Sequence, residues 1–299
     1  MDILQNIKQT FQKGNSLTKL IYINAGVFVA LKLLVIILLL FNVSGAFISS
    51  YLAIPADLTQ LLHRAWTPVT YMFLHEDIFH FFFNMLTLFW FGKLFLLYFS
   101  EKQLVGLYII GGLLASLLYV VSLNLFPYYA PIVQQSVLLG ASGSIMAIIV
   151  ATAIQAPDME MRLLLLGGVK LKYIAIFFVL ISLFGITSDN GGGELAHLGG
   201  ALAGYIFIVS LRQGKDLTKG LNRILDRIYT LFQPRKLRVK PNLYRQHAPN
   251  APMSDAEFNM NKARKMAEID RILDKIKTSG YDSLSAEEKK RLFDQGNKK

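Results

Sequence analysis

A chain of 299 residues with 53% hydrophobic residues, 17% charged residues and a mean hydropathy of +0.41 is too apolar for an ordinary soluble domain. Its net charge of +11 is unevenly spread: residues 1–211 hold 10 Lys+Arg and 9 Asp+Glu, residues 212–299 hold 21 and 11, so the two parts carry +1 and +10. The absence of cysteine excludes disulfides and thiolate metal sites.

A helix needs about 20 apolar residues to cross the hydrocarbon core. The N-terminal segment 1–19 is polar, and the first apolar run is long enough to span, with no small-residue cleavage pattern close behind it, so no cleaved leader is expected. Six spans are predicted, at Leu20–Phe41, His80–Phe99, Gln103–Phe126, Ser142–Gln155, Leu171–Ile186 and Leu195–Leu211. The fourth is short as written and is expected to extend beyond those limits. Lys8, Lys13, Lys19, Lys102, Arg162, Lys170, Lys172 and the basic tail fall on one side, and only Arg64 on the other. The positive-inside rule then puts both termini in the cytoplasm and turns loops 42–79, 127–141 and 187–194 outward.

Within the first span Lys32 costs about 2.5–3.5 kcal/mol if unpaired at mid-bilayer, so it is expected to snorkel. Lys93 lies nearer a span end, where the same escape is easier. Loop 42–79 is long and apolar, interrupted by Pro55 and Pro68, and reads as short helices lying in the membrane interface.

After the core at 20–211, Leu217, Leu221, Ile224, Leu225, Ile228, Leu231 and Phe232 recur at helical spacing, with Lys219, Arg223 and Arg227 on other faces. Segment 212–233 is therefore expected to be a basic amphipathic helix on an anionic membrane surface, a reading preferred to nucleic-acid binding because the basic residues begin at the membrane edge. Residues 234–253 are proline-rich and read as a linker. In 254–299, Asp255 can cap one helix to about Thr278, Gly280 breaks it, and Ser285 with Glu288 forms a capping box for a second. Ile269, Ile272, Leu273, Ile276, Leu284, Leu292 and Phe293 would close this helical hairpin.

Three polar clusters sit at outer span ends. Ser142 lies in Gly140-Ala141-Ser142-Gly143, and Gly143, Ala147 and Ala151 form a small-residue ridge that by itself only promotes close helix packing. His197 adds an ionisable group within a span, which is expensive and so points to function. A second ridge, Ala196, Gly200 and Gly204, runs beside it. If the two ridges pack, Ser142 gains a base at similar depth, which a serine nucleophile needs. His80 and Asn84 share a face at the start of the second span, as either a polar packing stripe or an oxyanion hole.

His80 with Asn84, Gly140-Ala141-Ser142-Gly143, and Ala196-His197-Leu198-Gly199-Gly200 resemble, in kind, order and span number, the motifs of the rhomboid intramembrane serine proteases. The resemblance covers about residues 20–211. It implies an all-α, six-transmembrane-helix bundle with a cytoplasmic helical tail, and a catalytic Ser142–His197 dyad without a third acidic member. It also implies an oxyanion hole made of the Ser142 backbone N–H, His80 and Asn84. His75 matches a position often held by histidine, with no role assigned. Thr67 after Trp66 replaces a common arginine, whose contacts must be absent or replaced, and Met146 stands where an aromatic residue often packs on the base. The tail resembles basic helical extensions of some bacterial rhomboids, which implies no known activity; the expected location is the bacterial inner membrane, as a multi-pass protein.

The implied activity is cleavage of single-span membrane proteins near the outer ends of their transmembrane segments, with no metal or cofactor. The fifth span and the loop 187–194 resemble the family's substrate gate, and Gly191-Gly192-Gly193 are expected to let that loop move. The alternatives are a rhomboid-like protein that binds transmembrane segments without cutting them, and a small transporter. The retained Ser142 and His197 argue against the first, and the absence of matching halves argues against the second.

Overall fold

The computed structural model describes residues 3–163, 167–232 and 255–296, which form two units, 1–233 and 234–299. In the first, α1 (Ile3–Lys13) precedes α2 (Ser16–Leu40), which starts one turn earlier than expected because the Asn15 side chain accepts from the Thr18 N–H and caps it. Asn42, in the left-handed region at φ 56°, ends the segment. Lys32 is satisfied within the protein: its ammonium donates to the Glu76 carbonyl at 2.6 Å, in the loop leading to His80.

Residues 42–77 form a run of short elements, α3 (Ala46–Leu52), β1 (Ile54–Pro55), α4 (Leu58–His63), α5 (Thr67–Thr70) and a 3₁₀ turn at Tyr71–Phe73. Polar side chains lock it. Arg64 donates to the Ser50 carbonyl at 2.9 Å, Trp66 to that of Tyr51 at 3.0 Å, and Thr70 to that of Leu52 at 2.6 Å. Thr67 is fully buried and bonds back to the Arg64 carbonyl, so Arg64 pins this loop where Thr67 offers no guanidinium.

The next helices are α6 (Ile78–Phe95) and α7 (Glu101–Leu125). Asp77 caps α6 by accepting from the N–H groups of Phe79 and His80, and Ser100 with Gln103 forms a capping box on α7. Strand β2 (Val137–Leu138) pairs antiparallel with β1, joining the loops 42–79 and 127–141.

Helix α8 (Ser142–Gln155) does not extend beyond the expected limits. Its 14 residues rise only about 21 Å, and 11 of them are buried among α6, α7, α9 and α10. Because protein encloses it, it need not match the lipid thickness. A hairpin of β3 (Glu160–Leu163) and β4 (Gly167–Lys170), which sequence patterning missed, leads to α9 (Leu171–Phe184).

Helix α10 (Gly191–Arg212) overturns the expectation of a mobile glycine loop, because Gly191, Gly192 and Gly193 form its first turn. A Cβ on Gly191 would collide with the Ile186 carbonyl, and one on Gly192 would come within 2.8 Å of the Tyr119 ring. These glycines serve close approach. Four helices, α2, α6, α7 and α10, are long and apolar enough to cross a membrane, and the segments 142–155 and 171–187 are shorter apolar helices. Six apolar helices thus stand where six spans are expected.

Helix α11 (Thr218–Phe232) belongs to the same unit. It docks on the start of α7: Thr218 is fully buried over Gly106, Asn222 donates to the Lys102 carbonyl at 3.0 Å, and Lys102 pairs with Asp226 at 2.7 Å. Leu217, Ile224 and Ile228 stay exposed, as the amphipathic pattern predicts.

The expected linker at 234–253 lies outside the described residues. In the second unit, α12 (Asp255–Ser279) and α13 (Ala286–Gly296) form the anticipated hairpin. Gly280 turns the chain at φ 77°, and Ser285 and Glu288 make the capping box. Ile272 and Leu284 are buried and Lys275 reaches Glu288 at 2.9 Å. Leu273, expected in the apolar face, is 48% exposed.

Candidate active site

Ser142 owes its place to a chain of backbone-directed hydrogen bonds. The Tyr71 hydroxyl donates to the Gly112 carbonyl of α7 at 2.6 Å, and the Tyr71 carbonyl accepts from the Gly140 N–H at 2.9 Å. Gly140 takes φ +120°, closed to ordinary side chains, and the chain then turns into α8 with Ser142 as its first residue. A first-turn N–H has no acceptor within its own helix, and the Ser142 N–H is one of these.

The two small-residue ridges do pack. An added Cβ on Gly200 would collide with the Gly143 carbonyl, and one on Gly204 with the Ala147 carbonyl, so α8 and α10 touch backbone to backbone. That contact carries His197, three residues before Gly200, to the same cavity as Ser142.

From α6 come His80 and the buried Asn84. The Asp77 cap and the Lys32–Glu76 contact fix the start of this helix from both sides. The position a Cβ would take on Gly140 lies 3.0 Å from His80 Nε2 and 3.7 Å from Ser142 Oγ, so histidine and serine flank one glycine.

Ser142, His197, His80 and Asn84 therefore line a single open cavity, closed on its apolar sides by Phe83, Ile145, Met146, Ile149 and Phe178, with Thr87 below. Its volume of about 170 Å³ far exceeds the ~10–15 Å³ that one water requires. No hydrogen bond joins Ser142 to His197. Met146 is buried in the wall against Val150, Ala201 and Phe178.

His75 lies outside this lining. It packs edge-on against His80, with ring centroids 5.3 Å apart, and against Phe28 and Phe81. Burial, with His80 adding to it and the Phe73 backbone working against both, pushes the imidazole down from 6.5 to about 4.

Sequence reasoning missed two neighbours of His197. Glu194 Oε2 lies 3.2 Å from His197 Nδ1, and Ser182 Oγ of α9 lies 3.3 Å from the same atom. The dyad expected without a third acidic member thus has a carboxylate beside its histidine. The available signal was a carboxylate three residues before the histidine, one turn away on the same helix face.

A bundle of apolar helices with a serine, two histidines and an asparagine converging on a water-accessible cavity defines the class of multi-pass membrane proteins with a protease-like site. The chain belongs to the rhomboid family: the Rhomboid domain model matches residues 62–214. A second match, to a family of unknown function (DUF6576), covers residues 254–295, the α12–α13 hairpin. RHOMBOID-like protein 12, mitochondrial, of Arabidopsis thaliana is 29% identical over 161 residues, 51% of this chain and 48% of that protein. The chain thus spans about half the length of this curated relative.

Proposed function

We propose that the protein is an intramembrane serine endopeptidase that cuts the transmembrane segments of single-span proteins near their outer ends. The observation that carries this reading is the convergence of Ser142, His197, His80 and Asn84 on one cavity. Ser142 Oγ attacks the scissile carbonyl as His197 Nε2 takes its proton. The tetrahedral oxyanion is held by the Ser142 N–H, His80 and Asn84. The C–N bond then breaks, the imidazolium returns its proton to the departing amine, and water, deprotonated by His197, hydrolyses the acyl-enzyme. Substrate enters past α9, whose Phe178 lines the cavity and whose Phe177, Ile181 and Phe184 are exposed.

By the same reading the core, 20–211, sits in a bacterial inner membrane with both termini in the cytoplasm. The basic face of 212–233 then meets anionic lipid, 234–253 is a linker, and 254–299 is an accessory hairpin.

The test is incubation of the purified full chain in detergent with a generic single-span substrate. Cleavage by wild type, abolished in Ser142→Ala and His197→Ala at unchanged membrane insertion, is the expected result. Substantial turnover by either variant would sink the dyad. A second reading, a protein that binds transmembrane segments without cutting them, is favoured by the missing Ser142–His197 hydrogen bond, and it requires wild type to bind the substrate and leave it intact.

A further inference from the structure

Glu194 is an unusual guest in this part of the fold. It stands in the first turn of α10, its side chain only 15% exposed, one turn before a His197 that is 23% exposed. A carboxylate withdrawn from water needs partners. It has them close by: Oε2 is 3.2 Å from His197 Nδ1, and Ser182 Oγ of α9 lies 3.3 Å from the same nitrogen. Room for it comes from Gly185 at the end of α9, where a Cβ would lie 2.8 Å from Glu194 Cγ. The side chain is therefore folded back over the histidine by packing on one side and hydrogen bonding on the other.

An ionised carboxylate only accepts hydrogen bonds, so the Nδ1 facing it must carry the ring proton, which leaves Nε2 with its lone pair free. We propose that Glu194 is a positioning residue for the catalytic base: it holds His197 in the Nδ1–H tautomer, orients the ring toward Ser142, and stabilises the imidazolium formed when Ser142 is deprotonated. The inference rests on the hydrolytic reading above: Ser142 and His197 remain the reacting pair, and Glu194 acts through His197 Nδ1. Ser182 ties the same cluster to α9, so the element past which substrate enters also touches the base. The other titratable group facing His197 is His80 of α6, across the cavity. Glu194 differs from it in acting on Nδ1, the nitrogen that does not perform proton transfer.

The full chain in detergent, with Glu194→Gln and Glu194→Asp, provides the test. Glutamine keeps the size and can still bond Nδ1, but it has no charge and its amide also tolerates the other tautomer. Glu194→Gln should lower kcat for a single-span substrate at least about tenfold with KM and thermal midpoint unchanged, and Glu194→Asp should recover part of the loss. Unchanged kcat in Glu194→Gln overturns the proposal. So does a loss of kcat matched by a fall in thermal midpoint, which would make Glu194 a packing residue. The second readout needs no turnover. With five histidines in the chain, ¹⁵N-histidine labelling resolves their ring nitrogens, and His197 is assigned by comparison with His197→Ala. A His197 Nδ1–H signal in wild type that changes in Glu194→Gln supports the tautomer assignment, and an unprotonated Nδ1 in wild type refutes it. If wild type cleaves nothing yet shows that signal, the hydrolytic reading fails while the Glu194–His197 pairing stands.

Discussion

The Gly140 N–H donates to the Tyr71 carbonyl at 2.9 Å, and the Tyr71 hydroxyl reaches the Gly112 carbonyl at 2.6 Å. One tyrosine, 1% exposed, thus ties the turn before Ser142 to the middle of α7. The turn before Ser142 is thus held by a residue far earlier in the chain, and the start of the helix that carries His80 and Asn84 is held by the Asp77 cap a few residues further on.

Tyr71→Phe removes only the hydroxyl and keeps the ring in its buried slot. Stability should fall by about 1–2 kcal/mol, the usual cost of losing a buried hydrogen bond, and turnover should fall with it as the Gly140 turn loosens. Thermal unfolding and single-span cleavage, measured on the same preparation, check both; unchanged turnover in a destabilised variant would separate this tie from the nucleophile's alignment.

Gly200→Ala and Gly204→Ala should each destabilise by about 1–3 kcal/mol, because the methyl group meets a backbone carbonyl of α8 that cannot move aside. Gly26→Ala, with nothing within 4 Å of the added carbon, is the neutral control. Detergent unfolding curves of the three variants side by side decide the point, and equal behaviour would mean that the two ridges do not pack.

His75 is held neutral by burial, at about 4 against 6.5 in the free side chain. Below 6.5 the unfolded chain takes up a proton there that the folded chain refuses, so this group lowers stability progressively as pH falls from about 6.5 to about 4. His75→Phe, an uncharged ring beside Phe28 and Phe81, should flatten that part of the stability–pH curve. Thermal midpoints between pH 7 and pH 4 measure it, and an identical slope in the variant would assign the dependence elsewhere.

Removal of residues 234–299 should leave cleavage of a generic substrate nearly unchanged, because every residue of the proposed machinery lies between His80 and His197. Removal of 215–299 should destabilise the protein, since it deletes α11 and with it the Thr218 packing on Gly106 and the bonds to Lys102. Activity and thermal midpoints of both truncations discriminate the two effects. Loss of activity in the shorter deletion at normal stability would make the α12–α13 hairpin a regulator.

What the sequence alone determined are properties that depend on near neighbours: six apolar helical runs, the break at Gly280, the capping box at Ser285 and Glu288, and two small-residue ridges at four-residue spacing. The Ser142, His197 and His80–Asn84 clusters were legible as well, because polar groups at span ends stand out against an apolar background. The tertiary structure decided everything that rests on residues far apart in the chain. It put Gly191, Gly192 and Gly193 inside α10, where the Ile186 carbonyl and the Tyr119 ring approach too closely for a Cβ. It docked α11 on α7 through the Lys102–Asp226 pair, 124 positions apart, and satisfied Lys32 with the Glu76 carbonyl. It also gave His197 its carboxylate. Helical spacing alone puts Glu194 near His197, but the packing of α9, with Gly185 leaving room for the Glu194 side chain and Ser182 beside the same ring nitrogen, was decided by the tertiary structure.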